Sequence, residues 1–208
     1  FNVAPGAVVT IDGKPVRDAE PTRLWRFHKP AGTLTTNRDP QGRQTIFDVL
    51  PADLPRILTV GRLDFNSEGL LLLTNDGDVA RRLEHPKTGW RRRYRVRVHG
   101  TVDEDRLASL ARGITVEGVR YGPIDARLER EQRSNAWLSV SLSEGKNREV
   151  RRICKHFGLQ VTRLIRVSYG PFQLGNLPRG EAGEVPKKVL AEQLGTDSGR
   201  HRRANHRR

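Results

Sequence analysis

Regular alternation of apolar and polar residues predicts several strands in this chain. Residues 94–98 and 137–143 alternate between apolar side chains and arginine or serine, which is typical of strands with one buried and one solvated face. Residues 70–74 form a short apolar run that suits a fully buried strand. Residues 25–27 and 34–36 are also strand-like and flank a Pro- and Gly-containing turn.

Helical spacing of apolar residues predicts three helices between these strands. One follows an Asn-Asp-Gly turn and ends before Pro86, and a second lies between Thr101 and Gly113, with Thr101 and Glu104 as a capping box. Residues 148–157 place their apolar side chains on one face and their basic side chains off it. The elements interleave without a regular βαβ rhythm or a Gly-rich phosphate loop, which predicts an α+β fold.

Three segments of different character divide the chain. Residues 1–20 are β-rich and contain a possible hairpin turn at Asp12-Gly13, and residues 21–195 form the α+β unit. Residues 196–208 hold five Arg and two His without apolar periodicity, so we expect a disordered basic tail. Because the sequence contains no Met, we expect it to begin inside a longer protein.

The charge balance points to a polyanionic partner. The 208 residues include 38 Lys and Arg against 24 Asp and Glu, a net charge of +14. Neutralising phosphates releases counterions, and arginine, which supplies 31 of the basic residues, pairs bidentately with phosphate. A coding bias that favours Arg on a solubilising surface would give the same composition. Nucleic acid is nevertheless the partner that the excess charge favours.

Cysteine and apolar content indicate a cytoplasmic protein without a membrane segment. Cys154 is the single cysteine, so an internal disulfide is excluded, and its neighbours on the predicted helix suggest a core position. No apolar stretch approaches the roughly 20 residues that span a bilayer. The six His are scattered without other ligand types at metal-site spacing, and none is interpreted as a metal ligand.

Residues 60–77, Val-Gly-Arg-Leu-Asp-Phe-Asn-Ser-Glu-Gly-Leu-Leu-Leu-Leu-Thr-Asn-Asp-Gly, carry the most specific signal. They place Asp64 between Arg62 and an apolar strand, where a carboxylate can do nucleophilic chemistry. This run resembles, almost letter for letter, the catalytic segment of bacterial rRNA pseudouridine synthases of the RsuA type. Within the run, Asp76 is interpreted as a turn residue and helix cap.

Three further segments resemble motifs of the same family, in the same order. The turn at 27–32 is similar to the family's Lys-Pro-x-Gly turn, and 92–96 is similar to its basic-x-Tyr segment. Residues 144–153, followed by Leu-Ile-Arg at 164–166, are similar to the segment whose helix supplies an arginine to the catalytic aspartate. The position that matches this arginine is Arg151.

The resemblance implies a mixed, largely antiparallel sheet with flanking helices, and residues 1–20 resemble the last strands of an S4-like RNA-binding domain. It also implies that Asp64 acts as nucleophile or proton acceptor, that Tyr94 packs on the uracil, and that Arg62 and Arg151 keep Asp64 ionised. Tyrosine at position 94 also fits a core aromatic on a strand. The residues expected to bind substrate RNA are Arg62, Lys29, Lys146, Asn147, Arg148, Arg152 and Arg166.

The implied reaction converts a uridine of ribosomal RNA to pseudouridine without a metal or other cofactor. The segments at 147–152 and 163–166 are closer to the enzymes of large-subunit (23S) rRNA, and we expect a monomer that acts on a flipped-out uridine in a loop or bulge. Two alternatives remain: an RNA-binding or ribosome-assembly factor without catalysis, and a hydrolytic nuclease. The joint presence of Asp64, Tyr94 and Arg151 favours the enzyme over a pure binder, and the lack of a carboxylate cluster disfavours the nuclease.

Overall fold

A computed structural model describes residues 10–11, 14–15 and 20–195 of the chain. Within these residues, short strands and helices interleave as an α+β fold, which confirms the predicted class. The strands are β1 Thr10–Ile11, β2 Lys14–Pro15, β3 Leu24–Lys29, β4 Leu58–Val60, β5 Glu68–Thr74, β6 Arg92–His99, β7 Ile114–Val116, β8 Val119–Tyr121, β9 Ile124–Gln132, β10 Asn135–Leu142, β11 Gln160–Tyr169, β12 Phe172–Gln173 and β13 Ala182–Glu184. The α-helices are α1 Gly77–Glu84, α2 Glu104–Ser109, α3 Glu149–His156 and α4 Lys187–Leu194, and the 3-10 turns are Ile46–Asp48, Pro86–Thr88 and Leu110–Arg112.

Nine of these strands form one sheet in the order β13-β3-β5-β11-β6-β10-β9, with β4 paired to β5 and β12 to β11. The pairing of β5 with β11 is parallel, and the other pairings in this sheet are antiparallel. The sheet is therefore mixed and largely antiparallel, as predicted. The β5–β11 pair joins two halves of the sheet, each made of strands that are antiparallel to one another.

Helices cover opposite faces of these two halves. In the half that contains β6, β9, β10 and β11, the apolar face packs against α2 and α3, and Val96, Leu138 and Ile153 belong to one core cluster. In the half that contains β3 and β5, one face packs against α1 and α4 through residues such as Leu72 and Leu83. The other face of β3 and β5 packs against residues 46–57 and Leu63. Every residue of β5 is buried as a result, which explains its continuous apolar run.

Two of the predicted local features are wrong. Residues 34–36 do not form a strand: Leu34 makes an isolated bridge to Thr45, and the following residues bend away. The cap of α2 is Asp103, whose carboxylate accepts from the backbone N–H of Arg106 at 3.0 Å. Thr101 therefore does not cap α2. Asp76, by contrast, caps α1 as predicted, accepting from two backbone N–H groups.

The predictions for the two ends of the chain fall largely outside the described residues. From the N-terminal segment, β1 and β2 pair as an antiparallel hairpin. The predicted tail at 196–208 lies entirely outside the described residues. Across the ranges that are described, none of the helices has the length and apolar character needed to cross a membrane.

Candidate active site

A cleft of about 550 Å³ lies where β6, the loop before β5 and the loop before α3 meet. Seven of the ten predicted site residues line it, namely Arg62, Asp64, Tyr94, Lys146, Asn147, Arg148 and Arg166. Lys29, Arg151 and Arg152 do not line it. The fold thus brings residues from positions 62 to 166 together at one concave surface, and concave surfaces with convergent polar groups are where ligands usually bind.

Asp64 lies in the tight loop that connects β4 to β5. Leu63, directly before it, is buried in the core cluster beneath the loop, whereas Asp64 is half-exposed and faces the cleft. The carbonyl of Asp64 accepts from the backbone N–H of Ser67 at 3.0 Å, which closes the turn. At the start of the loop, the N–H of Gly61 donates to Glu84 at the end of α1 at 2.6 Å. The apolar anchor and these bonds fix the backbone that carries the carboxylate.

Lys29 holds the same loop from below, in a position that the sequence did not predict. Its side chain is 0% exposed, and Nζ donates to the carbonyl oxygens of Pro30, Asp64 and Ser67 at 3.0, 3.2 and 2.8 Å, with Phe65 at 3.5 Å. Burial lowers the pKa of Lys29 to about 8. The expectation that Lys29 contacts RNA is therefore wrong, because its ammonium group is enclosed by backbone carbonyls.

Two further bonds connect the turn after β3 to the Asp64 loop. The N–H of Gly32 donates to the carbonyl of Phe65 at 2.8 Å, and Gly32 adopts φ +82°, which favours glycine. The hydroxyl of Thr35 donates to the carbonyl of Leu63 at 2.9 Å. The Lys-Pro-x-Gly turn is thus the support of the loop that carries Asp64.

Arg166 lies at the junction of the two sheet halves, opposite Gly69 in the parallel pairing of β5 and β11. Its side chain is 3% exposed, and Nε donates to the carbonyl of Leu70 at 2.7 Å. Its buried Nη2 has no hydrogen-bond partner among the described residues. Arg166 therefore belongs to the floor of the cleft, and its role in binding the substrate RNA stays a prediction.

Tyr94 lies on β6 between Val140 of β10 and Arg166 of β11. It packs against two core clusters and also lines the cleft, where it is half-exposed. The ring is thus partly in the core and partly presented to the cleft, and its packing on the uracil stays a prediction. A tyrosine in this setting offers an apolar surface and a polar tip.

Arg151, on α3, approaches the Asp64 loop without a direct ion pair. Its Nη2 donates to the carbonyl of Asn66 at 2.8 Å, and no ion pair within 4.0 Å joins it to Asp64, both residues being in the described part of the chain. Burial, and then the positive charge of Arg148, lower the pKa of Arg151, while the Asp64 carboxylate acts in the opposite direction. The predicted Arg151–Asp64 pairing is therefore replaced by an electrostatic interaction and an anchor on the loop backbone.

The loop before α3 supplies the basic rim of the cleft. Lys146, Asn147 and Arg148 are exposed, and Lys146 forms an ion pair with Glu144 at 2.7 Å. Arg148 precedes α3 with φ +51°, a conformation that non-glycine residues adopt rarely. Arg152 is half-buried on α3 and lies outside the cleft. Arg62, on the loop that carries Asp64, is also exposed and lines the cleft, so positive side chains from two loops border it.

Glu68, which directly follows the loop that carries Asp64, forms a buried ion-pair cluster that sequence reasoning missed. It is 4% exposed at the start of β5, and its carboxylate accepts from Arg163 at 2.5 Å and Arg179 at 2.9 Å. Burial raises the pKa of Glu68, but the hydrogen bond and charge of Arg163 and the charge of Arg179 outweigh it, so the pKa lies below its ordinary value. A carboxylate at the edge of an apolar run was the one signal that pointed to it. Nothing in the sequence indicated Arg179.

The single cysteine does not line the cleft. Cys154 is buried in the core beneath α3, as predicted, and burial raises its pKa to about 12. In the described ranges, no group of three or more His, Cys, Asp or Glu side chains is arranged to hold a metal ion. The cleft is lined by the carboxyl groups of Asp64, Glu84 and Glu149, by Tyr94 and Tyr169, and by several guanidinium groups, and Asp64 is the half-exposed carboxylate among them.

Several known proteins that are similar to this chain are named as pseudouridine or pseudouridylate synthases. The family model described as RNA pseudouridylate synthase matches residues 23–156, a range that contains Asp64, Tyr94 and Arg151. An uncharacterised RNA pseudouridine synthase of Rickettsia prowazekii is 43% identical over 193 residues, covering 93% of this chain and 81% of that protein. Ribosomal large subunit pseudouridine synthase B of Salmonella typhi is 45% identical over 184 residues, covering 86% of this chain and 63% of that protein. A crystal structure of a pseudouridylate synthase matches with 26% identity and a TM-score of 0.71, covering 91% of this chain and 81% of that one.

Proposed function

The chain belongs to the RNA pseudouridylate synthase family, and from this premise we propose that it isomerises a specific uridine of large-subunit ribosomal RNA with Asp64 as the reacting carboxylate. The chain is thus an RNA pseudouridine synthase. Its reaction breaks the N1–C1′ bond of uridine and rejoins the detached uracil through C5, so no atom enters or leaves overall. Such a reaction needs an anionic oxygen close to C1′ or C6, to form an adduct or to accept a proton.

The observation that carries the proposal is the fixed and half-exposed position of Asp64 on the cleft wall. Its backbone is held by Lys29, Ser67 and the Leu63 anchor, so the carboxylate is presented to a ligand without a loop rearrangement. A preorganised group of this kind loses little entropy when the substrate binds. Asp64 then acts as the nucleophile or as the proton acceptor at the sugar.

Neighbouring side chains support this assignment. Tyr94 presents part of its ring to the cleft, where it stacks on the flipped-out uracil and offsets the cost of unstacking by about 1 to 3 kcal/mol. Arg151 holds the Asn66 carbonyl, and its buried Nε is without a partner in the described chain. It is therefore a positioning residue that keeps the Asp64 loop in place. Arg62, Lys146, Asn147 and Arg148 bind the RNA around the target nucleotide.

The proposed substrate is supported by the net charge of the chain and by the name of one relative. A net charge of +14 suits a polyanion, and the relative from Salmonella typhi is named for the large ribosomal subunit. We therefore place the chain in the RsuA-type branch that acts on large-subunit rRNA, as a cytoplasmic monomer that takes its uridine from a loop or bulge. The hairpin of β1 and β2 fits the end of an S4-like RNA-binding domain before the catalytic domain.

The test is the substitution Asp64→Asn, which keeps the side-chain volume and removes the charge. Pseudouridine formation in large-subunit rRNA from a strain lacking the native gene should fall below about one per cent of wild type, since an essential reacting group contributes several orders of magnitude. RNA affinity should change little. Asp53→Asn is the matched control, because it removes the same charge from an exposed loop position.

Two results would contradict the proposal. Turnover of the Asp64→Asn variant close to that of the Asp53→Asn control would remove Asp64 from the reaction. Pseudouridine maps that do not change when the native gene is deleted, together with intact RNA binding, would identify a non-catalytic RNA-binding factor instead.

A further inference from the structure

One face of the sheet is open over the half that contains β9, β10 and β6. The core cluster under α2 and α3 lies on the other face of these strands. On the open face, Arg93, Arg95 and Arg97 are exposed at alternate positions of β6, and Arg91 lines the same surface groove as Arg93. Alternate residues of a strand lie about 7 Å apart on the same side. The open face therefore carries a row of four guanidinium groups.

Hydroxyl groups and a fifth arginine border this row. Ser141 and Ser139 of β10 lie opposite Arg93 and Arg95, and Arg127 of β9 lies opposite Ser139. The groove between them has a volume of about 410 Å³ and is also lined by Ser168 of β11. Serine hydroxyls and guanidinium groups are the side-chain donors that commonly contact phosphate.

The arginines of this face outnumber the carboxylates that pair with them. Two carboxylates pair with three of the five arginines named above: Glu129 binds Arg95 at 2.8 Å, and Asp125 binds Arg127 at 3.0 Å and Arg91 at 3.8 Å. Arg93 donates to the side-chain carbonyl of Gln173 at 3.0 Å. Within the described ranges, neither Arg93 nor Arg97 has an acidic partner. These two charges are available to an external anion.

The composition of the face favours a nucleic-acid backbone over a protein partner. The large apolar side chains exposed in the described chain are Leu58, Phe65 and Val189, which lie outside these strands. Trp137, the aromatic residue of the face, is half-buried with the Arg95 guanidinium 4.8 Å above its ring. A protein interface normally centres on apolar or aromatic anchors, which this face does not present.

We propose that this face, hereafter the β6 arginine face, binds the phosphate backbone of a substrate-RNA segment distant from the target uridine. The proposal rests on the proposed function, because it takes the same RNA as the occupant of the cleft. Arg92 lines the cleft, whereas Arg91 and Arg93 line the groove of the open face. The cleft and the β6 arginine face therefore meet at the start of β6, and an RNA that passes around the start of this strand contacts both. A short stem-loop that fills the cleft contacts the cleft alone.

The experiment compares the double variant Arg93→Gln/Arg97→Gln with the control Arg56→Gln/Arg112→Gln, which removes two exposed arginines from outside this face. The RNAs are a large-subunit rRNA transcript and a short stem-loop cut from it around the modified uridine. For the transcript, the slope of log affinity against log salt should become shallower by about one to two units in the double variant. Its KM should rise, and kcat should stay the same. The stem-loop should bind and react as with wild type.

Several outcomes would overturn the proposal. The transcript slope could be as steep in the double variant as in the control, or the stem-loop could lose as much affinity as the transcript. An unchanged RNA slope with lost binding to polyglutamate would assign the face to an acidic protein instead. Failure of the proposed function is a separate result: a wild-type chain that forms no pseudouridine still yields a salt slope, so transcript binding tests the β6 arginine face by itself.

Discussion

At the scale of single residues, a buried charge organises the active site. The Lys29 ammonium is surrounded by backbone carbonyls around the loop that carries Asp64. One side chain thus donates to several carbonyl oxygens of this loop and of Pro30. The cost is desolvation, which lowers the pKa of Lys29 from its ordinary value of 10.5 to about 8. A buried charged group is stable only where hydrogen bonds or ion pairs compensate for its lost hydration.

This pKa shift predicts a specific pH dependence of stability. Between about pH 8 and 10.5 the unfolded chain keeps the Lys29 proton while the folded chain has released it, so raising the pH favours the folded state. The free energy of unfolding of wild type, relative to Lys29→Met, should therefore increase by up to about 3 kcal/mol across this window. Denaturant unfolding at a series of pH values measures it. Lys155→Met, which removes an exposed lysine, is the control, and parallel curves for wild type and Lys29→Met would refute the shift.

At the scale of elements, strands and helices with a clear apolar periodicity could be predicted from the sequence. Features that depend on which partner a residue contacts could not. β10 alternates between buried and solvated residues, and α3 has one apolar face, so the sequence of each already contains its burial pattern. Residues 34–36 have strand-like composition, but Thr35 bonds to Leu63 and no partner strand lies beside them in the described chain. Likewise, the cap of α2 depends on which nearby acceptor reaches the first turn, and Asp103 does so.

The junction of β5 and β11 depends on a glycine whose role is visible only in three dimensions. Gly69 has φ +104°, and a Cβ at this position would lie 2.3 Å from the carbonyl oxygen of Arg166. We expect Gly69→Ala to reduce the free energy of unfolding by about 2 to 5 kcal/mol, because it combines backbone strain with a clash against main chain. It should also lower kcat, since β11 would move away from β5 and displace the floor of the cleft.

A second glycine separates the two contributions. Gly42 also has a positive φ, +69°, but a Cβ at this position would meet no other atom within 4 Å, so Gly42→Ala should cost only about 1 to 2 kcal/mol from backbone strain. Thermal or denaturant unfolding of both variants tests the difference. Equal losses would mean that the β5–β11 contact adjusts freely and that the glycine is not required for close approach.

At the scale of the whole molecule, charge is distributed over separate surfaces. The cleft rim and the β6 arginine face each carry several arginines, and seven of the acidic residues in the described ranges form ion pairs. Composition alone predicted a polyanionic partner but could not say where the charge would lie. Sheet register, which sets Arg93 and Arg97 on one face and Tyr94 on the other, made that assignment.

The basic segment at 196–208 is expected to add to the affinity of the whole chain for RNA without changing the modified site. Its deletion removes five Arg and one Asp and takes the formal charge from +14 to +10. The slope of log affinity for rRNA against log salt should become shallower by at most about four units, because each lost phosphate contact releases about one counterion fewer. The modified nucleotide should stay the same, since contacts to phosphate carry no sequence information. A variant that keeps residues 196–208 but has the same five Arg replaced by Gln should behave like the deletion if charge is the cause. Salt titrations of RNA binding and pseudouridine mapping measure the two effects: an unchanged slope would show that the segment does not contact RNA, and a changed site would show that it helps to select the target.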